Sequence, residues 1–169
     1  FVGDPSIVTE VNSYSSGWST PVSIRGLKLD ETNGYKVNGY SVSAWGGEFP
    51  VELAQNVMAL KGLSGLMYGF ATPGGIINYQ TKQPTEENLL STKIGYRSAG
   101  ILSASLDAGG RVGEDKQLGY RFNIVKEKGE TYNGSDADNL ATALALDYRI
   151  LPNLVWKGEI LYQDRHLDN

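Results

Sequence analysis

A compact α+β domain followed by the antiparallel strands of a transmembrane β-barrel is the fold class the sequence predicts. Two observations predict it. The chain changes texture near Pro84, from short irregular runs rich in turns to long runs with a strict two-residue period. A third observation, the side on which the late aromatic residues fall, favours a membrane barrel over a soluble sandwich.

The 169 residues suit one domain, or a small domain with part of another. Aliphatic and aromatic residues at 40 % can build a core, and 20 % charged residues is not the composition of a disordered chain. The net charge of −4 offers no basic stripe, so nucleic acid is not an expected partner. The absence of cysteine excludes a disulfide framework and a zinc–thiolate site. The one histidine, His166, reads as a solvated loop residue. No run reaches the roughly 18 apolar residues of a membrane helix. The chain opens at Phe1 without an initiator Met or a signal peptide, and so reads as a processed or excised segment.

In the first part, residues 1–84, the β-favouring runs Val22–Arg25 and Gly34–Val37 end at glycine turns. Pro50 is placed to open a brief helix over Pro50–Gln55, with Glu52 near the positive end of its dipole. Val57–Leu60 reads as a further buried strand. In the second part, residues 85–169, five runs alternate: Leu89–Arg97, Leu102–Val112, Leu118–Ile124, Leu140–Ile150 and Leu154–Gln163. Each has one apolar and one polar face, and about ten residues is the length of a tilted strand crossing a bilayer. Tyr96, Tyr120, Tyr148, Trp156 and Tyr162 fall on the apolar face, where an aromatic girdle belongs. Gly113–Gln117 and Leu151–Asn153 read as tight turns, and Lys128–Asn139 as a long polar loop. A soluble sandwich shows the same period with its apolar face inward, and remains the alternative. Five strands do not close a barrel, whose smallest members have about eight.

Between the two parts lies Leu60–Pro84, LKGLSGLMYGFATPGGIINYQTKQP, rich in glycine and free of Cys, His, Asp and Glu. It has no Gly-Lys-Ser/Thr triplet for a phosphate loop and no Gly-x-Ser-x-Gly elbow for a nucleophile. Glu86-Glu87 reads as a solvated pair in a linker. The sequence therefore predicts no enzyme.

The ordered series Ile24-Arg25-Gly26-Leu27, Tyr35–Gly39, Pro50-Val51-Glu52, Leu60-Lys61-Gly62, Ser64–Gly69, Pro73-Gly74-Gly75, Ile77-Asn78-Tyr79 and Thr81–Pro84 resembles the plug domain of TonB-dependent outer-membrane receptors, siderophore branch. The strands that follow resemble that family's first barrel strands. The resemblance implies a plug at 1–84, the first five or so strands of a 22-stranded barrel at 85–169, and uptake of ferric siderophores across the bacterial outer membrane. Receptors for cobalamin or an oligosaccharide, or a soluble β-rich binding module, are the alternatives. It further implies that the siderophore carries the iron, with no cofactor or metal ligand in the protein. The partners are the siderophore, membrane lipid and the TonB complex, whose binding segment would precede Phe1.

The implied ligand contacts are the plug tips Leu29, Asp30, Glu31, Tyr40 and Trp45, aromatic groups suiting organic chelates. Arg25, Glu52, Lys61, Asn78 and Lys82 are the implied plug–barrel contacts, with Arg25 buried against carbonyls, Glu52 or a barrel carboxylate. Gln55 and Met58 stand where the family is usually acidic. Lys93, Arg97, Asp107, Arg111, Arg121, Asp147, Arg149, Lys157 and Glu159 would form the charged wall of the lumen. The glycines would be architectural, allowing sharp turns and close backbone approach.

Overall fold

The computed structural model describes residues 4–9, 22–43, 49–62, 68–69, 71–97, 100–130 and 134–168, with backbone alone for Arg97, Leu167 and Asp168. The fold divides into two units, Phe1–Thr81 and Lys82–Asn169.

The first unit holds two sheets. One is antiparallel, in the order β1 (Ile7–Thr9), β2 (Val22–Ile24), β3 (Leu27–Lys28). The other runs β5 (Tyr40–Ser41), β4 (Tyr35–Val37), β7 (Gly75–Thr81), β6 (Ala54–Lys61), with β4 and β7 parallel. Val22, Ile24, Leu29, Tyr35, Ile77 and Tyr79 form one core drawn from both sheets, and the Phe49 ring stacks on Tyr79 at 4.9 Å. β7 is buried on both faces except at Gln80, with Ile77 and Tyr79 packed into the core, and β4 and β6 pair with its two edges.

Two hairpins follow from turn chemistry. Arg25-Gly26 joins β2 to β3 and Asn38-Gly39 joins β4 to β5, with φ of 54° and 77°, and of 51° and 86°. Positive φ at both central residues is the type I′ turn that matches strand twist. The second turn is clamped to the central strand. Asn38 Nδ2 donates to Thr81 Oγ1 at 2.7 Å, Thr81 N donates to Asn38 Oδ1 at 3.0 Å, and Gly39 N donates to Asn78 Oδ1 at 2.9 Å. Lys36, 1 % exposed, donates through Nζ to its cross-strand partner Ser41 Oγ at 2.6 Å.

The glycine-rich stretch has a geometric cause. Gly75 starts β7 at φ 131°, and a Cβ there would lie 2.0 Å from Leu60 O. No side chain fits, so β6 and β7 close together only with glycine at this place.

The helix expected at Pro50–Gln55 is a 3-10 turn over Val51–Leu53 alone. Leu53 is drawn into the interior and Ala54 is already extended, since pairing with β7 takes over from local helix propensity. Among the described residues the first unit is mostly strand, and the helical share implied by an α+β domain is correspondingly small. Gln55 is the extra residue at a break in the β6–β7 register, and Met58 is half-buried opposite Asn78.

The second unit is a single meander of β8 (Leu89–Arg97), β9 (Ile101–Val112), β10 (Leu118–Glu130), β11 (Asp136–Leu151) and β12 (Leu154–Asp168), each antiparallel to the next. All five alternating runs are strands. The loop expected over Lys128–Asn139 is shorter, because the β10–β11 ladder continues through Lys128↔Asp138 to Glu130↔Asp136. Polar residues on both faces suit a strand end held by backbone pairing alone, which hydrophobic periodicity does not detect. His166 lies on β12 opposite Asp138 rather than in a loop.

Replacing Asn38 with Ala removes two side-chain hydrogen bonds and leaves a Cβ residue at left-handed φ. The expected cost to the first unit is about 2–3 kcal/mol. Asn38→Gly should cost less, and protease resistance of this unit against urea in the full-length protein measures both.

Candidate functional site

The second unit's sheet is amphipathic in the sense opposite to a soluble sandwich. Leu90, Ile94 and Ile160, on the apolar face, are 76, 82 and 70 % exposed. Arg121, Asn123 and Asp147, on the polar face, are 9, 3 and 7 % exposed. On the central strands the covered face is the charged one, so the buried charge chemistry of this unit is concentrated there.

Register explains how the charges fit. Arg111, Gly119 and Asp147 stand in one row across β9, β10 and β11. Gly119 leaves the gap through which Arg111 reaches Asp147, its Nη2 donating at 2.6 and 2.9 Å to the two carboxylate oxygens. A Cβ on Gly119 would sit 2.8 Å from Asp147 Oδ1. One row on, Arg121 lies beside Gly109 and turns to Asp107, donating through Nε at 2.5 Å and Nη2 at 2.9 Å. Two-pronged guanidinium–carboxylate contacts of this kind fix orientation as well as charge. Further along the same face, Asn139 Nδ2 donates to Glu127 and Gln163 Nε2 donates to Asn139 Oδ1.

The segment leading into β8 joins this lattice. Lys82 Nζ lies 3.1 Å from Asp107 Oδ2, and Glu86 accepts from Arg111 Nε at 3.0 Å and from Arg149. Partial desolvation pushes the Glu86 carboxyl up, but the hydrogen bonds from Arg149 and Arg111 outweigh it and hold it below the usual range. Glu86 was legible only as a solvated linker residue. What hides its role is that both arginines are distant in sequence and meet it through strand register.

The residues implied as plug contacts take separate places. Leu29 is 2 % exposed and belongs to the core, because Leu29 N donates to Val22 O and carries the side chain inward beside β2; it is not a tip. Arg25 is exposed, not buried, since it occupies the first central position of a tight hairpin turn, and its guanidinium lies near Gly62 just past β6. It forms no ion pair with the half-buried Glu52. Asn78 and Lys61 make their bonds within the first unit: Asn78 with Gly39, and Lys61 Nζ with Asp4 Oδ2 at 2.7 Å. Asp30 Oδ1 caps the backbone N–H groups of Thr32 and Asn33, and Glu31 pairs with Lys28 at 3.4 Å. Tyr40, 79 % exposed, follows the turn at the C-terminal end of β4, whereas Asp30 and Glu31 precede its N-terminal end. The topology therefore puts them at opposite ends of that strand. Trp45 lies outside the described residues.

Among the described residues no group of three or more His, Cys, Asp or Glu is placed to hold a metal ion. The charged face can hold and exchange polar partners, and its arginines and carboxylates are engaged with one another rather than with a reacting centre.

No family model matches the chain. It is similar to the ferrichrome receptor FcuA of Yersinia enterocolitica, with 28 % identity over 143 residues, covering 75 % of this chain and 19 % of that protein. Among solved structures it matches BauA, the ferric preacinetobactin receptor of Acinetobacter baumannii. That match has a TM-score of 0.79 and 29 % identity, over 97 % of this chain and 24 % of that one. The fold also matches the pyoverdine outer-membrane receptor FpvA of Pseudomonas aeruginosa PAO1, TM-score 0.83 at 20 % identity, covering 95 % of this chain and 24 % of that one. The chain thus spans about a fifth to a quarter of the length of these relatives.

Two outcomes follow from the ion pairs. Asp147→Asn leaves the nearly buried Arg111 guanidinium with only the exposed Glu86 as its carboxylate and should destabilise the sheet by about 1–3 kcal/mol, whereas Arg111→Met with Asp147→Leu together should cost less; denaturant unfolding of the full-length protein compares them. The second concerns Asp4, whose carboxyl is lowered to about 2 from 3.8, first by the hydrogen bond from Lys61 and then by Ser6. A carboxyl depressed on folding adds stability that is whole above pH 4 and disappears as pH falls through about 2. Asp4→Asn should flatten that part of the pH profile of first-unit stability.

Proposed function

We propose that the chain is part of a TonB-dependent outer-membrane siderophore receptor, forming the plug and the opening wall strands of a barrel that imports ferric siderophores. The observation that carries this reading is the sheet whose apolar face is open and whose charged face is covered. A lipid environment makes such a face favourable, and strands are the other element besides helices that can cross it.

The slope of the apolar band supports the same placement. It runs from Leu90 to Tyr96 on β8 and from Leu154 to Tyr162 on β12. Through the register Tyr96 stands in the row of His166, and Leu90 in that of Ile160. The band therefore slides by roughly five residues across four strand-to-strand steps, which at strand spacings of about 3.3 and 4.8 Å is a slope of roughly 40°. Strands of outer-membrane barrels tilt by about that angle.

In this reading residues 1–81 act as the plug of a 22-stranded barrel, and Asp107, Arg111, Arg121, Asp147, Arg149, Lys157 and Glu159 line its lumen. The siderophore brings its own iron, and the TonB complex supplies the energy. Contacts to the ligand come from the end of the plug sheet that carries Asp30 and Glu31, rather than from the Tyr40 end. The relatives are receptors rather than enzymes, and nothing in the lattice of ion pairs performs a bond-making step.

Growth of a strain deleted for the parent gene on single ferric siderophores under iron limitation tests the import. Loss on one chelate, restored by the gene, is expected, and unchanged growth on all would reject it. For the wall, Ile160→Arg should lower barrel stability by about 2–4 kcal/mol, while Ile160→Phe should be near neutral. Heat-modifiable gel migration of the outer-membrane fraction reads both.

A further inference from the structure

We propose that Lys82–Asn88 is a strap, fastened to the strand unit by its own contacts, and that it sets the point in the chain where any displacement of the first unit stops. The segment has no strand pairing of its own, yet three fastenings hold it. At its start, Lys82 Nζ meets Asp107, whose orientation Arg121 fixes with two hydrogen bonds. In its middle, Pro84 and Thr85 lie directly on glycine positions of the wall. A Cβ on Gly119 would come 2.8 Å from Pro84 Cβ, and one on Gly109 would come 3.2 Å from Thr85 Oγ1. Near its end, Glu86 bridges Arg111 and Arg149, on β9 and β11. Thr85 Oγ1 donates to Glu87 O at 2.8 Å and holds the bend between them.

Glu86 is well exposed, and an ion pair between two mobile surface groups contributes little. Here its partner is not mobile. The Arg111 side chain is 4 % exposed and already held by Asp147, so Glu86 meets a positioned guanidinium and little ordering entropy is lost. A load arriving through Thr81 must release Lys82, then the Pro84 seat, then Glu86 before it reaches the β8 ladder at Leu89↔Gly109. The β4–β5 hairpin of the first unit has no such series, being held by the two pairs Lys36↔Ser41 and Val37↔Tyr40. The strap therefore outlasts that hairpin. As a stop for plug movement the inference rests on the plug reading, but the fastening itself does not.

The full-length receptor in detergent, carrying a nitroxide at Glu87→Cys or at Tyr40→Cys, tests this; both sites are exposed and the chain has no cysteine of its own. In a urea titration the Tyr40 label should become mobile while the Glu87 label stays immobile. Lys82→Met with Glu86→Gln should move the Glu87 midpoint down to that of Tyr40. Should the double variant fail to assemble, Glu86→Gln alone, which alters one exposed group, should move it part of the way. Equal midpoints in the unaltered protein, or a Glu87 midpoint that no variant moves, would overturn the strap. Neither readout involves a ligand, so a failure of siderophore growth tests leaves it standing.

Discussion

The pairing of an open hydrocarbon face with a covered charged face on one five-stranded sheet is the constraint from which the other features follow. In water the arrangement is unfavourable twice over: apolar area is left exposed, and charges are taken away from solvent. The apolar side is resolved only by a surrounding that is itself apolar. The charged side is resolved by pairing, because a buried charge without a partner is several kcal/mol worse than one with it. That is why Arg111, Arg121, Asp107 and Asp147 occur as two interlocked pairs and not as scattered charges.

Pairing across strands then dictates where small residues stand. A guanidinium that must reach a carboxylate two strands away needs an intervening position without a side chain, and Gly119 is that position. On β11 the small Ala141, Ala143 and Ala145 lie opposite the longer Val125, Asn123 and Arg121. The segment before β8 uses the space that remains. In the first unit glycine serves the other purpose, close approach of backbone to backbone, as at Gly75 against Leu60. One residue type thus does two jobs in two halves of the chain, each set by what its neighbours must reach.

The strands of the second unit were legible because period-two alternation survives wherever one face is apolar and the other polar. Their ends were not: from Lys128 to Glu130 both faces are polar, so the ladder there carries no hydrophobic signal. Individual roles in the first unit were harder to read. Asn38-Gly39 is a turn by its residue types alone, but Arg25 in the equivalent turn needs its conformation before its exposure is clear. Leu29 follows a turn motif and so looked like a tip, although one backbone bond to Val22 draws it into the core. Glu86 was hidden for a different reason: its partners are 25 and 63 residues away, and only the register of three strands brings them to it.

The central claim is that the even-numbered residues of β10 from Leu118 to Ile124 face lipid and the odd-numbered ones between them do not. Nitroxides placed one at a time from Leu118 to Val125 in the membrane-embedded receptor, read by collision with dissolved oxygen against a water-soluble nickel chelate, measure it directly. The account predicts oxygen access rising at Tyr120, Phe122 and Ile124 and falling at Gly119, Arg121 and Asn123. High chelate access at Phe122 and Ile124, or no two-residue alternation at all, would contradict it.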